Sequence, residues 1–562
     1  MNKKITLVII SILFLLVSST IPLGASIKIK ASEKETQYLE TINNKQTSNN
    51  LPSSFSWQDV NGKNFVTPIR NQSPFSSCET FAIVAAIESM IQIKLNYSFN
   101  CDLSEAHLWF NCDPSLEWGS YPDANLQYLR DHGIPDESCW PYPSEKKVYP
   151  PNSTCDCWKD RVAKITGWEF LPHDQTSIKE ALIEYGPIPT YIFLYQDFML
   201  YLGGIYRHRW GKPIGPHMVT IVGYNDDPGY WIVKNSWGTD WGENGWFRIE
   251  YGQSSIESYS ILIKDVYGKF PINYVDDDNN IGPWDGTKEH PYMTIQEGID
   301  NSYSGYTVVV NNGTYYENII INKTLYLKGE DKQNTIIDGN GLTNVVNITA
   351  KNVELSGFTI QNSGTGIYNA GISVTSKYLR QDSKASILDN IIKDNQVGVK
   401  IYTGSSNTIK ENNIQNNSVG IYLMMTLNNL IKDNNIQKNE ENGIQTEWCV
   451  QTSIIRNQII DNKNYGIFLQ GSSNNNIIKN CNTIKNNSVG IYLLFSDKNL
   501  ISGNNFIKNQ KHAAFTDSHL NKWRRNHWDD HEKMLPKIIK GKIGKNEITW
   551  LNFDWLPSKN PL

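Results

Sequence analysis

At 562 residues the chain is longer than one ordinary hydrophobic core supports, so two or three domains are expected. Its formal net charge of -5 is small for that length, and its lysines are scattered rather than clustered. That excludes the basic footprint of a nucleic-acid binder.

In chain order, Lys3 and Lys4 precede the apolar run ITLVIISILFLLV, which gives way to small residues around Ala25. A membrane span needs about 20 apolar residues, so this shorter run predicts a cleaved signal peptide over 1–25. The mature protein is then expected to be secreted or held at the cell surface, with no transmembrane domain after cleavage. Residues 26–50 are a short leader or propeptide. Export permits disulfides. The cysteines stand at 78, 101, 112, 139, 155, 157, 449 and 481. The first six would make three bridges, whereas a free Cys78 leaves an odd number behind.

Residues 51–268 mix Trp, Tyr, Pro and Gly with helical stretches. CETFAIVAAIESMIQIK (78–94) has the spacing and the Ala-rich middle of a buried helix. SEAHLWF (104–110) opens on a capping serine. DANLQYLRDHG (123–133) is an amphipathic helix ended by Gly133. HMVTIVGYNDDPGYWIVKNSW (217–237) predicts two strands joined by a turn at 225–229.

Beyond 268 the chain turns rich in Asn and Ile. VGVKIYTGSSNTIKENNIQNN is followed by four similar units, with glycines at 398, 420, 443, 466 and 490. Each unit holds short alternating segments separated by Asn or Gly, as three brief strands per coil of a right-handed parallel β-helix require. The expected β-helix spans 269–520, with looser first coils, an insert near 371–385, and a cap or tail over 521–562. The stacked asparagines need no catalytic explanation, since side-chain amides satisfy one another and the turning backbone. The fold class is therefore multidomain, an α+β domain followed by an all-β solenoid.

A nucleophilic cysteine needs a base, and the base needs a group to orient it. Of the first-domain histidines, His107 and His132 lie in helical patterns, His173 lies near a loop and His208 lies in a turn. His217 opens a strongly apolar strand, and the next strand leads into Asn235. Neighbouring strands would set the imidazole beside Asn235, with Trp237 shielding the bond. A thiolate at Cys78 would gain from the helix N-terminus. Gln72 would offer an amide to an oxyanion beside the Cys78 backbone N–H.

These pieces resemble the papain-like cysteine peptidases of the C1 family, in family order. LPSSFSWQDVNGKNFVTPIRNQ (51–72) ends on Gln72, SPFSSC ends on Cys78, and LSEAHLWFNCD, GPHMVTIVGYN and YWIVKNSWGTDWGENGWFRIEYG follow. The resemblance implies a two-lobed fold, with Cys78 as nucleophile, His217 as general base and acid, Asn235 orienting it and Gln72 in the oxyanion hole. Trp237 falls on the shielding tryptophan. Gly119, Ser120, Tyr121 and Pro122 fall on the substrate-binding wall, where Ser120 replaces a glycine. Glu79 stands in place of the usual tryptophan, and a carboxylate there would oppose ionisation of the thiol, point away, or hold the imidazolium.

The resemblance also implies that one family disulfide is lost as a pair, at Phe75 and in EWGSYP. It further implies that Cys112 takes a partner in CDC (155–157). Cys101 and Cys139 would then form a pair peculiar to this chain, with one of Cys155 and Cys157 left over. The leader is too short for the family's helical inhibitory domain.

The C-terminal repeats resemble pectin-lyase-like, NosD-type β-helices of carbohydrate-binding and sugar-hydrolase proteins. They show no recurring acidic pair of the kind glycosidases use. Asp276, Asp277 and Asp278 are a candidate calcium site or a solvated linker. The expected function is an exported cysteine endopeptidase that acts on protein or peptide substrates and requires no cofactor, with a β-helix for surface or carbohydrate binding. The alternative is a carbohydrate-binding or carbohydrate-active β-helix behind an inactive peptidase-like head.

Overall fold

Helix α1 (Cys78–Leu95) runs through the middle of the first domain in the structure, a computed structural model that describes residues 51–112, 121–145, 155–531 and 535–562. The expected signal peptide and leader, and Gly119 and Ser120, lie outside the described residues. Helix α1 is buried from Cys78 to Gln92, which is why its sequence is apolar on every side. It ends at Asn96, whose left-handed backbone returns its N–H to the Gln92 and Ile93 carbonyls.

Helix α2 (Glu105–Cys112) begins after Ser104, whose Oγ accepts from the His107 N–H at 3.0 Å. In α3 (Pro122–Asp131) the proline occupies the first turn, where no N–H is needed, and Leu126 and Leu129 face inward. These helices pack on one another to form one lobe.

The other lobe is a six-stranded sheet. Its long central strand β1 (Pro213–Asn225) pairs antiparallel with β2 (Tyr230–Lys234), which pairs antiparallel with β3 (Trp246–Glu250). Strand Ile188–Tyr195 lies against β1 and sets Ile192 opposite His217. Helix α1 packs directly on β1, so the start of the helix faces the middle of that strand.

The remainder is a parallel β-solenoid. Its third ladder contains ten strands, one per coil. The long-strand ladder includes Val397–Tyr402, Val419–Met424, Ile444–Glu447, Tyr465–Gln470 and Val489–Leu494, each parallel to the next. Isoleucines stack inward, as in the fully buried column Ile409, Ile431, Ile454, Ile478 and Ile501.

The repeated glycine has a steric cause. A Cβ on Gly398 would lie 2.5 Å from the Gly420 carbonyl oxygen, and one on Gly420 would lie 2.5 Å from that of Gly443. Any other residue would force the coils apart.

Asparagines form continuous amide ladders. Asn412 Nδ2 donates to Asn434 Oδ1, and Asn434 Nδ2 to Asn457 Oδ1, both at 3.0 Å. The series continues to Asn526, whose Nδ2 donates to the buried Asp554 carboxylate at 2.9 Å. Asp554 belongs to an antiparallel hairpin, Lys537–Ile543 with Ile548–Asp554, that closes the last coil. The ladders run through Lys522–Arg524 and His527–Trp528, so coil structure extends past residue 520 into the expected tail.

The first domain and the solenoid share a core. Strand β4 (Ile272–Val275) pairs parallel with β5 (Thr307–Val310) of the first coil. Ile272, Tyr274 and Val309 pack in one buried cluster with Ile87 and Ile91 of α1. Arg161, ion-paired to Asp136 at 2.5 Å, lies over the Tyr303 ring at 4.0 Å. Ser53–Leu562 is accordingly one compact unit.

Two expectations are corrected. Cys139 bonds to Cys155, with Cα atoms 5.1 Å apart, and not to Cys101. Cys101 instead points into the apolar cluster around α1, fully buried and free. Cys112 is also free, as is Cys157.

The Asp276 and Asp277 carboxylates tie the first turn of the solenoid. Asp276 Oδ2 accepts from Asn311 Nδ2 at 2.9 Å, and Asp277 Oδ2 from the Thr314 N–H at 3.1 Å. Asp276 Oδ1 accepts from the Asp278 N–H at 3.1 Å. Among the described residues, the one group spaced to hold a metal ion lies elsewhere, at His512, Asp529 and Asp530.

Candidate active site

Cys78 is the first residue of α1, at the end where unpaired backbone amides favour negative charge. Ser77 before it is held by a 2.7 Å hydrogen bond between its Oγ and the Tyr142 hydroxyl. The Cys78 thiol lies near the Met218 backbone, so it sits against β1 beside the residue that follows His217.

His217 is buried on β1, and its Nε2 lies 2.8 Å from Asn235 Oδ1. Asn235 directly follows β2, and its Oδ1 also accepts from the Ser236 N–H at 2.9 Å. The antiparallel β1–β2 pairing is what sets these two side chains together. The Trp237 ring covers the imidazole, with centroids 4.7 Å apart and planes inclined by 32°.

Gln72 is tied to the same turn. Its N–H donates to the Ser236 carbonyl at 2.8 Å, and its Oε1 accepts from Ser236 Oγ at 2.7 Å. Its Nε2 makes only a long 3.3 Å bond to the Phe75 carbonyl, which leaves that amide available to another acceptor. The structure thus brings Gln72, Cys78, Glu79, His217, Asn235 and Trp237 together. Tyr121 is strongly exposed, and Pro122 is buried at the start of α3.

The electrostatics favour the uncharged forms. Burial pushes the Cys78 thiol well up, and the neighbouring Glu79 carboxylate adds to this through its charge and a hydrogen bond. Burial pushes His217 down to about 4, against the upward pull of the Asn235 bond. Neither group favours a charge by itself. Moving one proton from sulfur to imidazole would create two opposite charges, which attract one another more strongly where water is excluded.

Sequence reasoning missed a second set of residues behind α1. Glu88, Glu105 and Lys234 are buried, and with Arg70, Asp102 and Glu137 they form a charged cluster. Lys234 Nζ donates to Thr67 Oγ1 at 2.8 Å, and Thr67 Oγ1 donates to Glu88 Oε2 at 2.6 Å. Arg70 pairs with Asp102 at 2.9 Å. A cavity of about 240 Å³ opens between Arg70, Asp102, Glu105, Glu137 and Tyr142. Burial pushes Glu105 well up, Glu137 up to about 8 and Lys234 down to about 8. The available signal was a charge inside an apolar run, as at Glu88 in AAIESMI and Lys234 in WIVKN.

Comparison with known proteins finds relatives for both parts of the chain. The family model described as papain family cysteine protease matches residues 51–267. A second, described as periplasmic copper-binding protein (NosD), matches 299–544. Pro-cathepsin H of Bos taurus is 34% identical over 215 residues, covering 36% of this chain and 61% of the relative. Fruit bromelain of Ananas comosus is 30% identical over 212 residues, covering 36% of this chain and 56% of the relative. The chain thus spans less than two thirds of the length of these relatives. Among solved structures, the bromelain protease from Ananas comosus in complex with the E64 inhibitor is 27% identical. The match covers 38% of this chain and 100% of that one, with a TM-score of 0.32.

Proposed function

From the premise that residues 51–267 are a papain-family cysteine peptidase domain, followed by a NosD-type β-solenoid region over 299–544, we propose that the chain is an exported cysteine endopeptidase. In this reading the solenoid serves to bind a surface or a carbohydrate. The observation that carries the peptidase reading is the 2.8 Å bond from His217 Nε2 to Asn235 Oδ1, beside a cysteine that opens a helix.

The Asn235 bond commits Nε2, so Nδ1 is the nitrogen that takes the Cys78 proton. The thiolate attacks the carbonyl carbon of a peptide bond, while the Cys78 N–H and Gln72 Nε2 receive the developing oxyanion. The proton held by His217 passes to the leaving amine as the C–N bond breaks and an acyl-enzyme remains. Water, giving a proton to His217, then cleaves the thioester and restores the thiol.

The raised thiol at Cys78 is the observation that favours the second reading, an inactive peptidase-like head on a carbohydrate-binding solenoid. The NosD description names copper for that family. In this chain the His512, Asp529 and Asp530 group does not fit a metal ion, because Lys537 Nζ lies 2.6 Å from both Asp530 oxygens. An ammonium already stands in the cation's place, and no copper chemistry is proposed.

Mass spectrometry after treatment with an epoxysuccinyl peptide inhibitor separates the two readings. Single labelling at Cys78 that is absent from His217→Ala, with casein cleavage blocked by the same inhibitor, is the expected result. An unlabelled Cys78 together with intact casein would leave the inactive-head reading standing.

A further inference from the structure

Between residues 386 and 516 the chain has two inward aromatic residues, the buried Phe506 and Phe515. The others all lie on one of the three faces of the solenoid. Tyr402, Tyr422, Phe468 and Tyr492 are on strands of the long-strand ladder, and Trp448 and Phe495 follow such strands directly. Tyr465 begins one of them. The outer positions of the other two ladders carry Lys, Asn, Gln, Thr, Ser and aliphatic residues instead. Folding does not require this segregation, because every coil winds on the same inward isoleucines and asparagine ladders.

Register turns the segregation into a surface. Lys400, Tyr422, Gln445, Phe468 and Tyr492 are successive partners across five coils, at rungs about 4.8 Å apart. The Tyr492 ring is stacked on those of Tyr465 and Phe468, with planes inclined by 19° in each case. Beside this row, Tyr402, Met424, Glu447 and Gln470 make a second one. The surface therefore alternates half-buried, mutually stacked rings with amide and carboxylate groups, and Tyr402, Trp448 and Phe495 stand exposed along it. Its charges are already engaged. Glu447 accepts from the Tyr422 hydroxyl at 2.7 Å and from Gln470 Nε2 at 3.4 Å, and Lys400 Nζ donates to the Tyr368 carbonyl.

We propose that this face binds an extended neutral polysaccharide lying across the rungs, an inference that rests on the carbohydrate role given to the solenoid above. A pyranose ring offers C–H faces to aromatic rings and hydroxyls to amides and carboxylates, which is the alternation displayed here. A polyanion would meet the Glu447 carboxylate and, of cations, Lys400 at one end of the row, and a purely apolar chain would leave Gln445, Glu447 and Gln470 stripped of water.

Affinity electrophoresis of the full-length chain through gels carrying hydroxyethyl cellulose, galactomannan or polygalacturonate tests the proposal. Retardation by at least one of the two neutral polymers is expected. The variant Tyr422→Ala/Phe468→Ala/Tyr492→Ala should weaken it at least tenfold. Lys410→Ala/Lys432→Ala/Lys479→Ala, on another ladder, should leave it unchanged. Circular dichroism checks that the aromatic variant is wound; should it unfold, Trp448→Ala in a turn carries the same expectation. Retardation that survives the aromatic substitutions overturns this site while leaving the carbohydrate role. Retardation by neither neutral polymer, or by polygalacturonate alone, overturns the neutral-glycan proposal itself.

Discussion

His217 Nε2 is held 2.8 Å from Asn235 Oδ1, and this bond commits that nitrogen and leaves Nδ1 open to another partner. His217→Ala should lower kcat/KM on casein peptides by on the order of 10²–10⁴, the usual contribution of a positioned base. Asn235→Ala should cost less and also change the acid limb of the pH–rate profile, because the bond that raises His217 against burial is then gone. An unchanged pH profile would mean that Asn235 is only a packing residue.

Glu79 stands beside the thiol it should make harder to ionise. Glu79→Gln removes the charge and keeps the shape, so alkylation of Cys78 by iodoacetamide should reach half-maximal rate at a pH lower by about one unit, the scale of one neighbouring charge. A profile that stays where it was would show that burial alone holds the thiol neutral.

The cluster behind α1 predicts how stability depends on pH. Glu105 and Glu137 are pushed up, the latter to about 8, so the folded protein keeps protons that the unfolded chain has released. Their contribution is fully present below the unfolded carboxyl range and is lost as pH rises through about 8. The lowered histidines, His107 and His217, act oppositely, but only between about 4 and 6.5. Lys234, pushed down to about 8, adds stability with rising pH only above that value. The melting temperature should therefore fall from pH 7 to pH 8. The slope is about 1.4 kcal/mol per pH unit for each proton lost, and Glu137→Gln should flatten it. A melting temperature that is level across that interval would contradict the assignment.

The shared core at the domain junction should make the peptidase depend on the solenoid. Tyr274→Ala removes a buried ring packed against the α1 cluster, and the cost of such a truncation is about 3–5 kcal/mol. Denaturant unfolding followed by peptidase activity should show both regions lost together at a lower midpoint. A solenoid that unfolds separately, with the head unaffected, would show that the junction is only a contact.

How much of this was legible in the sequence depends on the range of the interaction. The solenoid was plain because its signal is local and repeated, with each coil bringing one inward isoleucine pattern, one bend asparagine and one glycine that the next carbonyl approaches. The set of Gln72, Cys78, His217 and Asn235 was legible as ordered motifs, and the β1–β2 register accounts for the meeting of the last two. The Cys139–Cys155 bridge was not, since pairing depends on distances that parity and spacing leave open. Nor was the charged cluster, because a buried glutamate and an exposed one are the same letter. The share of the peptidase core supplied by Ile272, Tyr274 and Val309 was equally hidden, since a composition change marks where repeats begin and says nothing about what they pack against.

The amide ladders have a chemical consequence besides cohesion. Asparagine ages when the N–H of the following residue attacks its side-chain amide, fastest where that residue is small. At three such positions in the folded solenoid the attacking group is occupied. The N–H of Gly341 donates to Asn362, that of Ser418 to Asn395 and that of Gly443 to Tyr465, at 2.8, 3.0 and 2.9 Å. At these three positions the winding thereby immobilises the group that would otherwise convert the preceding asparagine to aspartate. A newly formed carboxylate inside a ladder would then face amide oxygens with no donor to offer. Such a chain lasts as long as its coils stay closed, and chemical ageing and unwinding become one process.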